Sequence, residues 1–202
     1  MRTKRMPRAV GGTLFSLATL VLPVLMAGGA QAHGYTENPP SRQALCAGGQ
    51  VRDCGSIQYE PQSVEGPGNF PQAGPPDGKL CSAGKANFGQ LDDPRGGKWP
   101  AAGVQAGQEV QFRWKNTASH PTKSYRYFIT KEGWDPMKPL TRDQVEPAPF
   151  LNKDFGGHKP GPTESHPVKL PAGKKGHHVV IGVWDIADTS NAFYSCSDVN
   201  FG

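Results

Sequence analysis

His33 stands directly behind the triplet Ala30-Gln31-Ala32, a position that gives it more chemistry than a histidine inside a chain has. If the chain is cut after Ala32, the α-amine and the imidazole of one residue become two neutral nitrogen donors, with ordinary pKa values of about 8 and about 6.5. The amine and Nδ1 can then close a six-membered chelate around a metal. One further imidazole completes a planar three-nitrogen set, which suits Cu(II) and permits a T-shaped Cu(I). That imidazole has to come from His120, His158, His166, His177 or His178. His158 and His166 lie in a Gly/Pro-rich stretch that reads as a solvated loop, and His177 and His178 open a strand and read as caps of a sheet edge. His120, in "NTASHPTKSY", falls at a turn between two strands, where it would project from the end of a sandwich. Spacing alone does not choose among the five.

Hydrolytic chemistry has weaker footing. The chain contains no G-x-S-x-G, no H-E-x-x-H and no evident Cys/His nucleophile pair. Among its 17 Asp and Glu residues nothing singles out a glycosidase pair. The Gly-rich stretches lack the strand-to-helix context of a phosphate loop.

Delivery of His33 to a chain start is encoded upstream. "MRTKRMPRAV" carries four basic and no acidic residues, the apolar run "TLFSLATLVLPVLMA" follows, and the A-x-A triplet closes it. That order reads as a secretory signal peptide over residues 1–32, and its apolar run is short for a membrane span. The expected product is a secreted, extracellular single domain over residues 33–202 with no membrane association. Removing the four leader charges from 22 basic residues leaves 18 against 17 acidic ones, a net +1 in place of +5. The basic character thus belongs to the leader, and nucleic acid is not an expected partner.

The elements that must hold the site follow from patterning. From Thr36 to about Pro100 the chain is irregular and dense in Pro, Gly and Asp, with short helical turns expected near Ser41–Leu45 and Ser63–Glu65; long loops of this kind carry function in compact domains. Beyond it the period changes to two: "EVQFRWKNT", "SYRYFITK", "HHVVIGVWDIA" and "FYSCSDVNF" read as strands, the third buried on both faces. Short antiparallel strands with turn-rich connections predict a mainly-β fold, a sandwich whose long loop region carries short helices. Four cysteines in an exported chain suggest two disulfides. Cys46 and Cys54 flank a short polar segment and are expected to pair locally, which leaves Cys81 with Cys196.

The stretches "HGYTENPPSRQALC", "IQYEPQSVEG", "ASHPTKSYRYFITKEGWDPMKPLTR" and "VWDIADTSNAFYSCSDVN" resemble the bacterial lytic polysaccharide monooxygenases of auxiliary activity family ten, several first described as chitin-binding proteins. The resemblance spans the chain from His33 onward. It implies a fibronectin-III-like or immunoglobulin-like sandwich and one copper ion per chain, braced by the amine and imidazole of His33 and the imidazole of His120. Phe193 would cover one axial face of the copper and Ala118 would shape the other. Glu65 would position the oxygen co-substrate, and Trp184 would pack beneath the metal as a redox-active residue. Tyr59, Glu60, Pro61, Ser63, Asp188, Thr189 and Asn191 would form a flat face on crystalline polysaccharide. The second cysteine pair of some relatives lies elsewhere, so the Cys81–Cys196 pairing rests on arithmetic. Together these imply a monomer that oxidises crystalline chitin at C1 with O2 or hydrogen peroxide and an external electron donor. The rival readings are a noncatalytic chitin-binding protein, cellulose as the substrate, and a copper carrier that would lack the "YEPQSVEG" set.

Overall fold

In a computed structural model, which describes Met1 and residues 32–202, the four strands expected from period-two patterning form within two residues of their expected bounds. The signal peptide expected over residues 1–32 lies outside the described residues, apart from Met1 and Ala32. The described strands are β1 (His33–Asn38), β2 (Glu65–Pro67), β3 (Ala102–Val104), β4 (Glu109–Ala118), β5 (Thr122–Ile129), β6 (Leu151–Asp154), β7 (Thr163–Lys169), β8 (Gly176–Ile186) and β9 (Asn191–Phe201). One short helix, α1 (Arg42–Ala47), forms near the expected turn, where Ser41 Oγ accepts from the Ala44 N–H.

The turn expected at Ser63–Glu65 is not helical. The Tyr194 N–H donates to Val64 O at 3.0 Å, and Glu65 opens strand β2 opposite Phe193. The edge of β9 offers this segment backbone partners that an isolated helical turn cannot match. Strands β1, β2, β3, β6 and β7 were not evident in the sequence, being short or polar on their outer faces. β7 contains Pro167, which is tolerated because β7 is an edge strand.

The strands form two sheets, one ordered β1-β4-β7 and the other β2-β9-β8-β5-β6, with β3 added parallel to β9. Phe112, Trp114 and Val168 of the small sheet pack on Tyr125, Tyr127, Val180, Trp184 and Phe193 of the large one. The opposite face of the large sheet is covered by the loop region, through Leu45, Ile57, Phe70, Leu80, Phe88 and Leu91 against Phe128, Val179, Ile181, Val183 and Tyr194. Burial on both faces explains why β8 reads as a continuous apolar run, whereas β4, solvated on one side, alternates. Two disulfides fasten the covering loops: Cys46–Cys54 closes a local turn beside α1, and Cys81–Cys196 ties the loop region to β9 across 115 residues.

Candidate metal centre

Antiparallel pairing of β1 with β4 sets His33 opposite Ala118. His120 follows two residues later, in the tight connection from β4 to β5. The β8–β9 turn is tied to this connection by the Ala187 N–H, which donates to Pro121 O at 2.8 Å. On the other side the Gly34 N–H donates to Gln62 O at 3.1 Å, joining the start of β1 to the 59–65 loop. Four segments far apart in sequence thus share one end of the sandwich.

The floor of this end is aromatic. The Phe193 ring centroid is 6.2 Å from that of His33 and 5.3 Å from that of Trp184. Trp184 lies directly under the chain at residue 34, where an added Cβ would approach its Cζ3 and Asn116 Oδ1 to 2.9 Å; glycine is required there. Trp184 Nε1 donates to Thr122 Oγ1 at 2.7 Å, and that hydroxyl donates to His120 O at 2.9 Å. The indole and the His120 backbone therefore share one support.

Around the rim, Glu65 faces Asn191, whose Nδ2 donates to Glu65 Oε1 at 2.8 Å. The Asn191 N–H donates in turn to Thr189 Oγ1 at 3.2 Å. His33, Glu60, Ser63 and Glu65 line a cavity of about 260 Å³ together with Lys85, Asn87 and Phe88. The last three carried no signal in the sequence, because "GKANF" reaches the site only through the fold of the covering loops. Tyr59, beside Glu60, is 82 % exposed, and Asp188 and Thr189 are exposed as well. The half-buried Pro61 completes the 59–63 stretch.

The remaining histidines separate cleanly. His158 is an exposed loop residue, as expected. His166 is a correction: it lies in β7 and is buried, with Nδ1 2.7 Å from Tyr127 Oη. His178 is also buried, held by Thr130 Oγ1 at 2.8 Å and Glu132 at 3.0 Å, and His177 Nε2 sits 2.7 Å from Asp198 Oδ1. Both open β8 as expected, paired with Asn200 and Val199 of β9 but before the ladder with β5, which runs from Val180 to Ile186.

His120 stands two residues past Ala118, the β4 partner of His33, and the donors fit a metal. His120 is 7 % exposed, and its Nδ1 lies 2.8 Å from Asp188 Oδ1. The approach is out of line for a hydrogen bond, so the distance marks a contact of charge with dipole and the buried nitrogen lacks an aligned partner. A carboxylate beside one ring nitrogen is also how a metal-bound imidazole is oriented. Among the described residues no three His, Cys, Asp or Glu side chains cluster for a metal. The His33 nitrogen, an amide while Ala32 is attached, would add a donor to the two imidazoles if that bond were cut.

Comparison with known proteins agrees with this geometry. The family described as "Lytic polysaccharide mono-oxygenase, cellulose-degrading" matches residues 33–199. The chain is 39% identical over 196 residues to GlcNAc-binding protein A of Shewanella oneidensis, covering 97% of this chain and 41% of that one. The chain thus spans about two fifths of that relative's length. An AA10 lytic polysaccharide monooxygenase from Streptomyces lividans superposes with a TM-score of 0.82 at 49% identity, covering 84% of this chain and 100% of the other. A CBM33 from Bacillus amyloliquefaciens, solved in complex with Cu(I) after photoreduction, superposes with a TM-score of 0.75 at 40% identity, covering 84% and 100%.

Proposed function

The chain belongs to the auxiliary activity family ten lytic polysaccharide monooxygenases, and from that premise we propose a secreted, monomeric copper enzyme that cleaves crystalline chitin oxidatively at C1. The observation that carries the reading is the convergence of His33, His120 and Glu65 at one end of the sandwich, bordered by the exposed Tyr59. The name of the Shewanella relative supports GlcNAc polymers as the substrate class, and the Cu(I) complex of the Bacillus protein supports the metal.

His33, through its imidazole and the amine freed by cleavage, and His120 would hold one copper ion. Bound copper would supply the redox chemistry, taking an electron from an external donor and activating O2 or hydrogen peroxide for removal of a substrate C–H hydrogen. The protein does the rest. The Phe193 ring lies beside His33 and would keep out a further strong ligand, and the small Ala118 stands opposite His33 in the β1–β4 register. Glu65, its Oε1 engaged by Asn191, keeps Oε2 for a small polar co-substrate in the adjoining cavity. Trp184 fixes the β1 start from below. Tyr59 offers a ring for stacking on a sugar, and Glu60, Pro61, Ser63, Asp188, Thr189 and Asn191 surround it with groups for acetamido and hydroxyl contacts. A surface of this kind suits a crystal lattice that cannot enter a cleft.

Product analysis with copper and ascorbate, on β-chitin and on cellulose, tests the reading. Aldonic-acid-ended chito-oligosaccharides are the expected outcome. Retention on chitin without such products would leave a noncatalytic binding protein. Oxidised products from cellulose alone would move the substrate to the one named in the family description.

A further inference from the structure

A groove of about 420 Å³ runs along the outer side of β1. Gly34 and Thr36 face the core, one over Trp184 and the other beside Gly182, so strand alternation turns Tyr35 and Glu37 outward. Helix α1 and the turn after it supply Ala44, Leu45 and Gln50 to the lining, and β4 supplies Arg113. These walls are set before any ligand arrives. Arg42 of α1 is paired with Asp198 of β9 at 2.8 Å, Ser41 Oγ donates to Thr36 O at 2.7 Å, and the Cys46–Cys54 bridge closes the loop that carries Gln50.

The lining is mixed in a way that points to a ligand class. Tyr35 is half-buried and brings a phenol ring, and Leu45 and Ala44 add apolar surface. The lining charges are Glu37 and Arg113, and they face each other at 3.4 Å. Because they balance, an ion gains little here and a neutral ligand fits. A sugar ring has the matching make-up. Its apolar face stacks on an aromatic ring, and its neighbouring hydroxyls bond in pairs to planar amide, carboxylate and guanidinium groups. The volume falls within the range of ligand clefts, about 300–1,000 Å³. A concave site of this size excludes a crystal face and admits a single chain.

We infer that this groove is a second carbohydrate site, separate from the flat face around Tyr59, and that it takes a single soluble chain of N-acetylhexosamine units. Tyr35 stacks on one sugar ring, and Gln50 with the Glu37–Arg113 pair bonds its hydroxyls. Ala44 and Leu45 receive the acetamido methyl. Tyr35 lies two residues from His33, roughly 7 Å along the strand, so a chain loosened from the crystal beside the histidine site is within reach of the groove. The choice of N-acetylhexosamine rests on the chitin reading above; the make-up of the groove as a sugar site does not.

The probe is soluble chitotetraose, titrated into isotope-labelled, copper(I)-loaded protein without oxygen and followed by backbone amide shifts. Amides of Tyr35, Glu37, Ala44, Gln50 and Arg113 should move saturably at millimolar sugar. They should move equally in Tyr59→Ala, which lacks the ring of the flat face. Nuclear Overhauser contacts should join the acetyl methyl to Ala44 and to the Tyr35 ring. Gln50 and Arg113 are exposed, so Gln50→Ala and Arg113→Ala spare the core. Each should weaken groove binding about fivefold, the contribution of one hydrogen bond, with retention on crystalline β-chitin unchanged. Shifts confined to the Tyr59 face, groove shifts that vanish in Tyr59→Ala, or undiminished affinity in both groove variants would overturn the site. Equal affinity for cellotetraose would overturn the N-acetyl assignment. Failure of the groove leaves retention on β-chitin and oxidised products intact in the parent, whereas failure of the chitin reading removes both.

Discussion

The Asn191 side chain donates to Glu65 Oε1 at 2.8 Å, across 126 residues of sequence. Both groups sit at the rim of the site, and the bond leaves Glu65 with one oxygen committed and one available. An asparagine expected to meet the polysaccharide thus also fixes the carboxylate expected to meet the co-substrate.

That geometry gives a graded expectation. Glu65→Gln should keep the fold and copper affinity and lose most peroxide-driven turnover. Asn191→Ala, which frees the carboxylate without removing it, should lose about 1 kcal/mol of positioning, a fall of roughly fivefold in rate. Peroxide-driven turnover equal to wild type in Glu65→Gln would show that the carboxylate has no part in the chemistry.

Tyr59 is 82 % exposed and supports nothing inside the protein. Tyr59→Ala should leave the melting temperature and copper affinity unchanged and weaken retention on β-chitin by about 1 kcal/mol, the worth of one stacked ring. Equal partition of the two forms in a pull-down would remove Tyr59 from the binding face.

The α-amine of His33 can be isolated from its side chain by adding one residue. A processed chain beginning Met-His-Gly retains every side chain but converts the amine to a planar amide. Calorimetry should show a sharp drop in copper affinity and product analysis a loss of oxidative cleavage, while chitin binding persists. Matching affinity and activity in the two forms would mean that the start of the chain is incidental.

His166 stays neutral in the folded protein down to a pKa of about 4, because burial disfavours its charged form and Lys153 adds to the effect. Its unfolded value is about 6.5, so between these limits the unfolded chain binds more protons and folding stability rises with pH. Stability should be full above about pH 6.5 and fall by on the order of 3 kcal/mol as the pH drops toward 4. His178, also lowered by burial, adds to the same slope. Urea titrations of His166→Gln should show a flatter profile over this window; an identical slope would place the acid sensitivity elsewhere.

The two disulfides close loops of very different length, with separations of 8 and 115 residues. In the chain-entropy account the short bridge contributes about 2.5 kcal/mol and the long one about 5 kcal/mol. Paired Cys→Ser variants should therefore differ in urea midpoint, Cys81/Cys196 being the more damaging. The reverse order would indicate that native contacts of the 46–54 turn, rather than unfolded-chain entropy, dominate.

The sequence by itself determined whatever depends on neighbours along the chain. The A-x-A triplet singled out His33, the alternation in "EVQFRWKNT" and the unbroken apolar run in "HHVVIGVWDIA" marked strands with one and two buried faces, and the motifs of the resemblance named the site residues. Tertiary structure brought His120 to within two residues of the strand partner of His33, through a β1–β4 register that sets His33 against Ala118. It also moved His166 from an expected loop into the core, made Glu65 a strand residue opposite Phe193, and turned Asp188 and Asn191 into neighbours of His120 and Glu65. The division has a physical cause. Periodicity reports which way a side chain faces within its own element, because it follows from backbone geometry over a few residues. Register between strands is a sum over packing and hydrogen bonds among residues distant in sequence, and no single segment carries it.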